Sequence, residues 1–296
     1  MAGPFLKWAG GKSKLAAQVL GRAPAAFARY HEPFAGGGAI FFAMATARPG
    51  LPARLADSNA DLIACYTTVR DDVECLVAEL RALEGRYLGA PDGERASLYY
   101  EVRSHCPPTP AAAAARFIFL NRTGYNGLYR VNGRGQFNVP HGRYARPAVL
   151  REETLRAASA ALQGVVLACE DFAAAAAAAR PGDFVYLDPP YHPLSRTARF
   201  TAYTQQDFTM ADQERLRDVF EDMTRRGVAA LLSNSQHAAI EALYCGSGFA
   251  LETVAMARAI NSHGAGRAPV AELLISNLSR REVLEALARP GAGTAG

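Results

Sequence analysis

Tyr30-His31-Glu32-Pro33-Phe34-Ala35-Gly36-Gly37-Gly38, followed by the apolar run 39–47 and then by Arg54-Leu55-Ala56-Asp57, decides the fold. A short β-prone run, a glycine turn, an apolar helix and a second short strand ending in an acid make the opening of a βαβ unit. Glycines after a strand let a backbone come close to a ligand at a helix N-terminus. The turn is not G-x-x-x-x-G-K-[ST], which argues against an NTPase. Asp57 stands where an acid hydrogen-bonds a ribose diol. Asp57-Ser58-Asn59 also precedes a helical run, so Asp57 is equally suited to cap it.

On either side of this unit, residues 13–20 read as a short helix, 61–83 as a long one and 111–120 as another. Pro107-Pro108-Thr109-Pro110 breaks the chain, and 121–144 reads as loops with a hairpin. Strand runs then return at 165–169, 184–187, 228–232, 250–256 and 272–276, with helices at 173–179 and 213–226. The expected organisation is an α/β domain of residues 1–59 and 147–285, an insert of residues 60–146 and a disordered tail of residues 286–296. Ligands bind beyond the carboxyl ends of strands in open α/β sheets. The glycine turn, Asp57, Asp171 and Asp188 should therefore converge on one crevice.

The net charge of +4 is modest, but its distribution is not. Residues 102–151 hold no Asp or Glu and eight arginines: Arg103, Arg116, Arg122, Arg130, Arg134, Arg143, Arg146 and Arg151. Such an asymmetry is the footprint of a polyanion-binding segment, though it also suits a solvated arginine-rich surface. Long apolar runs and a basic-then-apolar start are absent, so neither a membrane span nor a signal peptide is expected, and a cytoplasmic protein is. The five cysteines are scattered without a C-x-x-C pair, which reads as buried reduced thiols and no metal site.

Three segments carry chemistry. Asp188-Pro189-Pro190-Tyr191 closes a strand with a carboxylate, a proline-stiffened turn and an aromatic face. An exocyclic amino group on a base is a poor nucleophile, because its lone pair is delocalised into the ring. A carboxylate accepting one N–H and the Pro189 carbonyl accepting the other would favour a tetrahedral nitrogen, while the base stacks on Tyr191. The second segment is Lys7-Trp8-Ala9-Gly10-Gly11-Lys12, with the only tryptophan. An indole face attracts a cationic sulfonium, and Lys12 can pair with a carboxylate. The third is 121–144, where Arg, Asn and aromatic residues alternate with Gly. Arg and Asn read base edges and phosphates, and Tyr or Leu can wedge between base steps.

Together these motifs resemble the Dam-type, D12-class DNA adenine-N6 methyltransferases over roughly residues 5–278. The resemblance lies in K-W-A-G-G-K, P-F-x-G-G-G, L-A-D-x-N, the 121–144 block and D-P-P-Y. It continues through Pro193-Leu194-Ser195, Phe200-Thr201-Ala202-Tyr203 and Leu232-Ser233-Asn234. It implies a Rossmann-like class I methyltransferase mixed sheet with an inserted, mostly helical DNA-recognition domain. It implies S-adenosyl-L-methionine as cofactor, held by Trp8, Ala9, Gly10, Lys12, Phe34, Ala35, Gly36, Gly37, Gly38, Asp57, Ser58, Asp171, Phe172 and Asp188. It implies double-stranded DNA as partner, met by Lys7, Arg122, Tyr125, Asn126, Leu128, Arg130, Asn132, Asn138, Pro140, Arg143 and Tyr144. The implied target is 5′-GATC-3′, and His141 departs from the family's pattern.

The expected reaction is direct methyl transfer to a flipped adenine by a monomer, with no metal, no membrane and no covalent intermediate. Residues 192–203 are expected to close over the base. Rival readings are the same chemistry on cytosine N4, RNA or a protein amide, and a binding-only module. The leading Asp188 favours adenine over cytosine, and the basic insert favours duplex DNA.

Overall fold

The computed structural model describes residues 2–191, 208–256, 270–278 and 282. Seven strands form one sheet in the order β3-β2-β1-β4-β5-β7-β6. They are β1 (Tyr30–Glu32), β2 (Ala53–Asp57), β3 (Val166–Cys169), β4 (Phe184–Leu187), β5 (Ala229–Ser235), β6 (Ala250–Met256) and β7 (Val270–Ser276). The first five pair in parallel, and β7 runs antiparallel between β5 and β6. This is the mixed, Rossmann-like sheet expected. Every residue of β1 and β4 is buried, as central parallel strands covered on both faces require.

Helices α1 (Ala16–Arg22) and α2 (Ala39–Ala47) flank β1. Between β2 and β3 the chain forms α3 (Ala60–Asp71), α4 (Val73–Gly89), α5 (Arg95–Ser104) and α6 (Pro110–Thr123). The continuous helix expected over 61–83 is thus two, broken at Asp72 (φ −145°, ψ 51°). Asp71 and Asp72 explain the break, since Asp side chains compete with the backbone for its hydrogen bonds. Thr109 caps α6 with its hydroxyl, and Pro110 takes the first helical position.

Further along the chain lie α7 (Glu152–Leu162), α8 (Phe172–Ala177), α9 (Met210–Arg225) and α10 (Ala238–Tyr244). A reciprocal capping box between Thr209 and Asp212 opens α9. One apolar cluster runs unbroken from Tyr30 and Phe184 in the sheet to Tyr66, Tyr87, Tyr99 and Phe119 on α3 to α6. A second, holding Val185, Leu187, Phe220 and Tyr244, joins the sheet to α9 and α10. Cys65 alone is buried, whereas Cys75, Cys106, Cys169 and Cys245 are exposed, which corrects the expectation of buried thiols. No helix among the described residues is long and apolar enough to cross a membrane.

Candidate active site

The antiparallel strand completes the site. Parallel strands β1, β2, β4 and β5 end at one rim of the sheet, and β7, running the other way, begins there, with Glu272 paired to Ser235. Asp188 follows β4 directly. Ser233 of β5 donates from Oγ to Asp188 Oδ1 at 2.8 Å, and its oxygen lies 2.8 Å from the buried Tyr186 hydroxyl. Lys12 is buried with its Nζ 3.5 Å from Asp188 Oδ1 and 3.3 Å from Glu272 Oε1. That ammonium donates to the Tyr191 hydroxyl and sits 4.0 Å from its ring centroid. Tyr191 in turn donates to Glu272 Oε2 at 2.9 Å. Behind the turn, buried Gln213 of α9 accepts from Asn234 at 2.9 Å and reaches the Pro190 carbonyl at 3.5 Å. Glu272 and Gln213 were not anticipated as site residues.

Burial pushes the Asp188 carboxyl up to about 6, against the opposing pull of Lys12 and the Ser233 hydrogen bond, and Glu272 adds to the rise. Glu32, fully buried at the end of β1, is pushed by burial to about 8, although Tyr30 donates to it at 2.9 Å. A carboxyl raised in the folded state is stabilising while protonated. Its contribution is whole below the ordinary value near 4.5 and is lost as pH rises through about 8. Between pH 6 and pH 8, Glu32→Gln should therefore gain stability relative to wild type by about 1–2 kcal/mol, read from urea midpoints. Parallel stability curves would contradict this.

The glycine turn is closed on Asp57. Its carboxylate accepts from Gly36 N and Asn59 N, each at 3.0 Å. Asn59 is the cap of α3, accepting from Leu62 N at 3.1 Å, so the alternative reading of Asp57 as that cap is corrected. Trp8 lies on the turn: a Cβ at Gly36 would come within 2.9 Å of its ring, and one at Gly37 within 3.0 Å of its Cβ. Gly38 has φ +68°, with the Tyr66 hydroxyl 2.5 Å from where a Cβ would stand.

Ala35 is buried, while Ala9, Gly10 and Ser58 are exposed. Phe34 stacks on Phe172 at 5.2 Å. Asp171 caps α8 and pairs with Arg215, which also lies over the Phe172 ring. The donor set fits an adenosyl-type methyl donor. Aromatic faces and close backbone stand beside the Asp57 carboxylate, an acceptor of the kind a ribose hydroxyl needs. No group of His, Cys, Asp and Glu among the described residues could hold a metal ion.

The basic segment folds as a hairpin after α6, with antiparallel bridges Gly124–His141 and Val131–Phe137. Tyr125 and Asn126 are exposed at its first turn, and Leu128 and Arg130 are half-buried. Asn126 (φ 54°) and Arg143 (φ 53°) are the two non-glycine residues with positive φ among the described residues, and both are on this segment. Asn132 organises the far turn by accepting from Arg134 N and Gln136 N, and Asn138 is held by Arg130 at 2.6 Å. The Pro140 carbonyl accepts from Tyr125 N at 2.9 Å, and Lys7 Nζ lies 4.5 Å from the Tyr144 centroid.

Arg122 differs from its neighbours. It is buried, donates to the Phe5 carbonyl at 2.5 Å, and has its side chain pushed down to about 10 by desolvation. Its geometry is that of a strut between α6 and the N-terminal segment, away from the exposed set. Arg103 and Arg116 likewise donate to backbone carbonyls, whereas Arg134, Arg143 and Arg146 are exposed. His141 is held by the Tyr87 hydroxyl at 2.6 Å and flanked by Tyr99.

Residues 8–260 match the family described as D12 class N6 adenine-specific DNA methyltransferase. The chain belongs to this family. Its relatives include the type II methyltransferase M.MjaIII of Methanocaldococcus jannaschii, 39% identical over 93% of this chain and 98% of that protein. Type II methyltransferase M1.LlaDCHI of Lactococcus lactis is 36% identical over 93% and 95%. DNA adenine methylase of Escherichia coli K12 is 38% identical over 91% and 93%. This D12-class enzyme is thus an adenine-specific DNA methyltransferase that works on DNA with a methyl donor. Residues 192–203, expected to cover the base, and the tail 286–296 lie outside the described residues.

Proposed function

We propose that this methyltransferase moves the methyl group of S-adenosylmethionine to N6 of an adenine flipped out of duplex DNA, within 5′-GATC-3′. The observation that carries the reading is Asp188, aimed by Ser233 and Lys12 and set beside the Tyr191 ring at the rim that also holds Asp57 and the glycine turn. The cofactor would supply an electrophilic methyl on a sulfonium. Asp57 would take the ribose, and Trp8, Phe34 and Phe172 would offer aromatic faces. Asp188 and the Pro189 carbonyl accept the two N6 hydrogens, Pro190 stiffens the turn and Tyr191 stacks on the base.

At neutral pH a carboxyl held near 6 is mostly ionised, so Asp188 orients the amino group as an acceptor. The insert, residues 60–146, is the recognition unit. Tyr125, Asn126, Leu128, Arg130 and Lys7 read and enter the duplex, and Asn132, Asn138, Pro140, Arg143 and Tyr144 frame its backbone. The protein acts as a monomer in the cytoplasm.

The likeness of the 121–144 block to the Dam type supports GATC. A panel of duplexes with GATC and each single-base variant, at one salt concentration, tests it. Each change should lower kcat/KM by about 10–100-fold. Equal methylation of every duplex would overturn the site assignment and leave the chemistry standing.

A further inference from the structure

Tyr129 packs between the hairpin and the segments that carry Trp8 and Asp61. It sits on the first arm of the hairpin and packs against Phe137 of the return arm, with centroids 5.7 Å apart. Its ring stacks on Trp8 at 5.8 Å and 25°, and Phe117 of α6 lies 5.4 Å away. Trp8 itself rests on Gly36 and Gly37. The Tyr129 hydroxyl donates to Asp61 Oδ2 at 2.9 Å, in the first turn of the helix that begins just after Asp57.

One side chain of the hairpin therefore bears on both halves of the donor pocket: the glycine turn through Trp8, and the Asp57–Asn59 strand end through Asp61. A second link runs through Asn121, whose side chain accepts from Lys7 N at 2.8 Å and donates to the Lys7 carbonyl at 2.7 Å and the Gly127 carbonyl at 3.0 Å. The N-terminal segment and the base of the hairpin are tied together, so displacement of one displaces the other.

We infer that Tyr129 is a positioning residue that couples DNA docking on the hairpin to methyl-donor affinity. DNA that fixes the hairpin fixes Trp8 over the glycine turn. By reciprocity of linkage, bound donor tightens DNA by the same factor. This rests on the ligand assignments proposed above. Trp8, the only tryptophan, reports donor binding through its own fluorescence.

The experiment titrates S-adenosylmethionine into wild type, Tyr129→Phe and Tyr129→Ala, with and without a GATC duplex. In wild type, DNA should strengthen donor binding by about 10-fold. Tyr129→Phe, which keeps the stack and loses the Asp61 bond, should show about half that factor, and Tyr129→Ala about twofold or less. The DNA-free affinity should change far less than the factor does, an outcome that loss of folded protein cannot mimic. A factor unchanged in Tyr129→Phe and Tyr129→Ala, or absent from wild type that binds both ligands, overturns the coupling. Wild type that binds neither ligand overturns the ligand assignments themselves.

Discussion

Asp188→Ala is expected to lower the single-turnover rate by about 10³-fold or more while leaving duplex affinity within about threefold. The carboxylate is the one charged acceptor in the D-P-P-Y turn. Its direction is fixed by Ser233 at 2.8 Å and its charge is balanced by Lys12 at 3.5 Å. Alanine removes the acceptor and leaves Lys12 with Glu272, so the pocket keeps an ion pair and loses the acceptor aimed at N6. Asp188→Asn keeps the shape but presents a neutral amide, and should lose nearly as much. Quench-flow with labelled donor gives the rate and filter binding gives the affinity. A variant retaining a tenth of the rate would place the chemistry elsewhere.

Lys12→Met should be the second-largest loss, about 10²-fold at pH 7. Lys12 lies between two carboxylates that otherwise face one another across the Tyr191 hydroxyl. Its charge is part of what keeps Asp188 as low as about 6, against burial and Glu272. Without it the Asp188 carboxyl rises further, more of it is protonated at pH 7, and the acid limb of the rate profile moves toward higher pH. In wild type that limb should fall near pH 6; in Lys12→Met a 10²-fold loss at pH 7 requires it to lie about three units higher, with about half of the activity returning at pH 9. Equal loss at every pH would mean that Lys12 serves only the fold or the donor.

The parallel half of the sheet was readable because each strand end carries its own punctuation: the glycines after β1, Asp57 after β2, Asp188 with two prolines after β4. The antiparallel strand was not. Glu272 enters the site only because β7 reverses direction between β5 and β6, and nothing local to it distinguishes an inserted antiparallel strand from a parallel edge. Charge was a partial guide as well. The acid-free stretch did mark the hairpin and its supports, but composition cannot tell an arginine that faces solvent from one spent on a carbonyl, as Arg116 and Arg122 are. Tyr129 reads in sequence as one more aromatic of the basic block. Its importance comes from what α3 and the N-terminal segment bring to it.

The most direct test supplies labelled methyl donor and a duplex with one GATC to wild type and to Asp188→Ala, then digests the DNA and identifies the labelled nucleoside. N6-methyladenine is expected from wild type, and none above background from the variant at equal DNA occupancy. Label on cytosine, or on adenine at the same rate from both proteins, would contradict this.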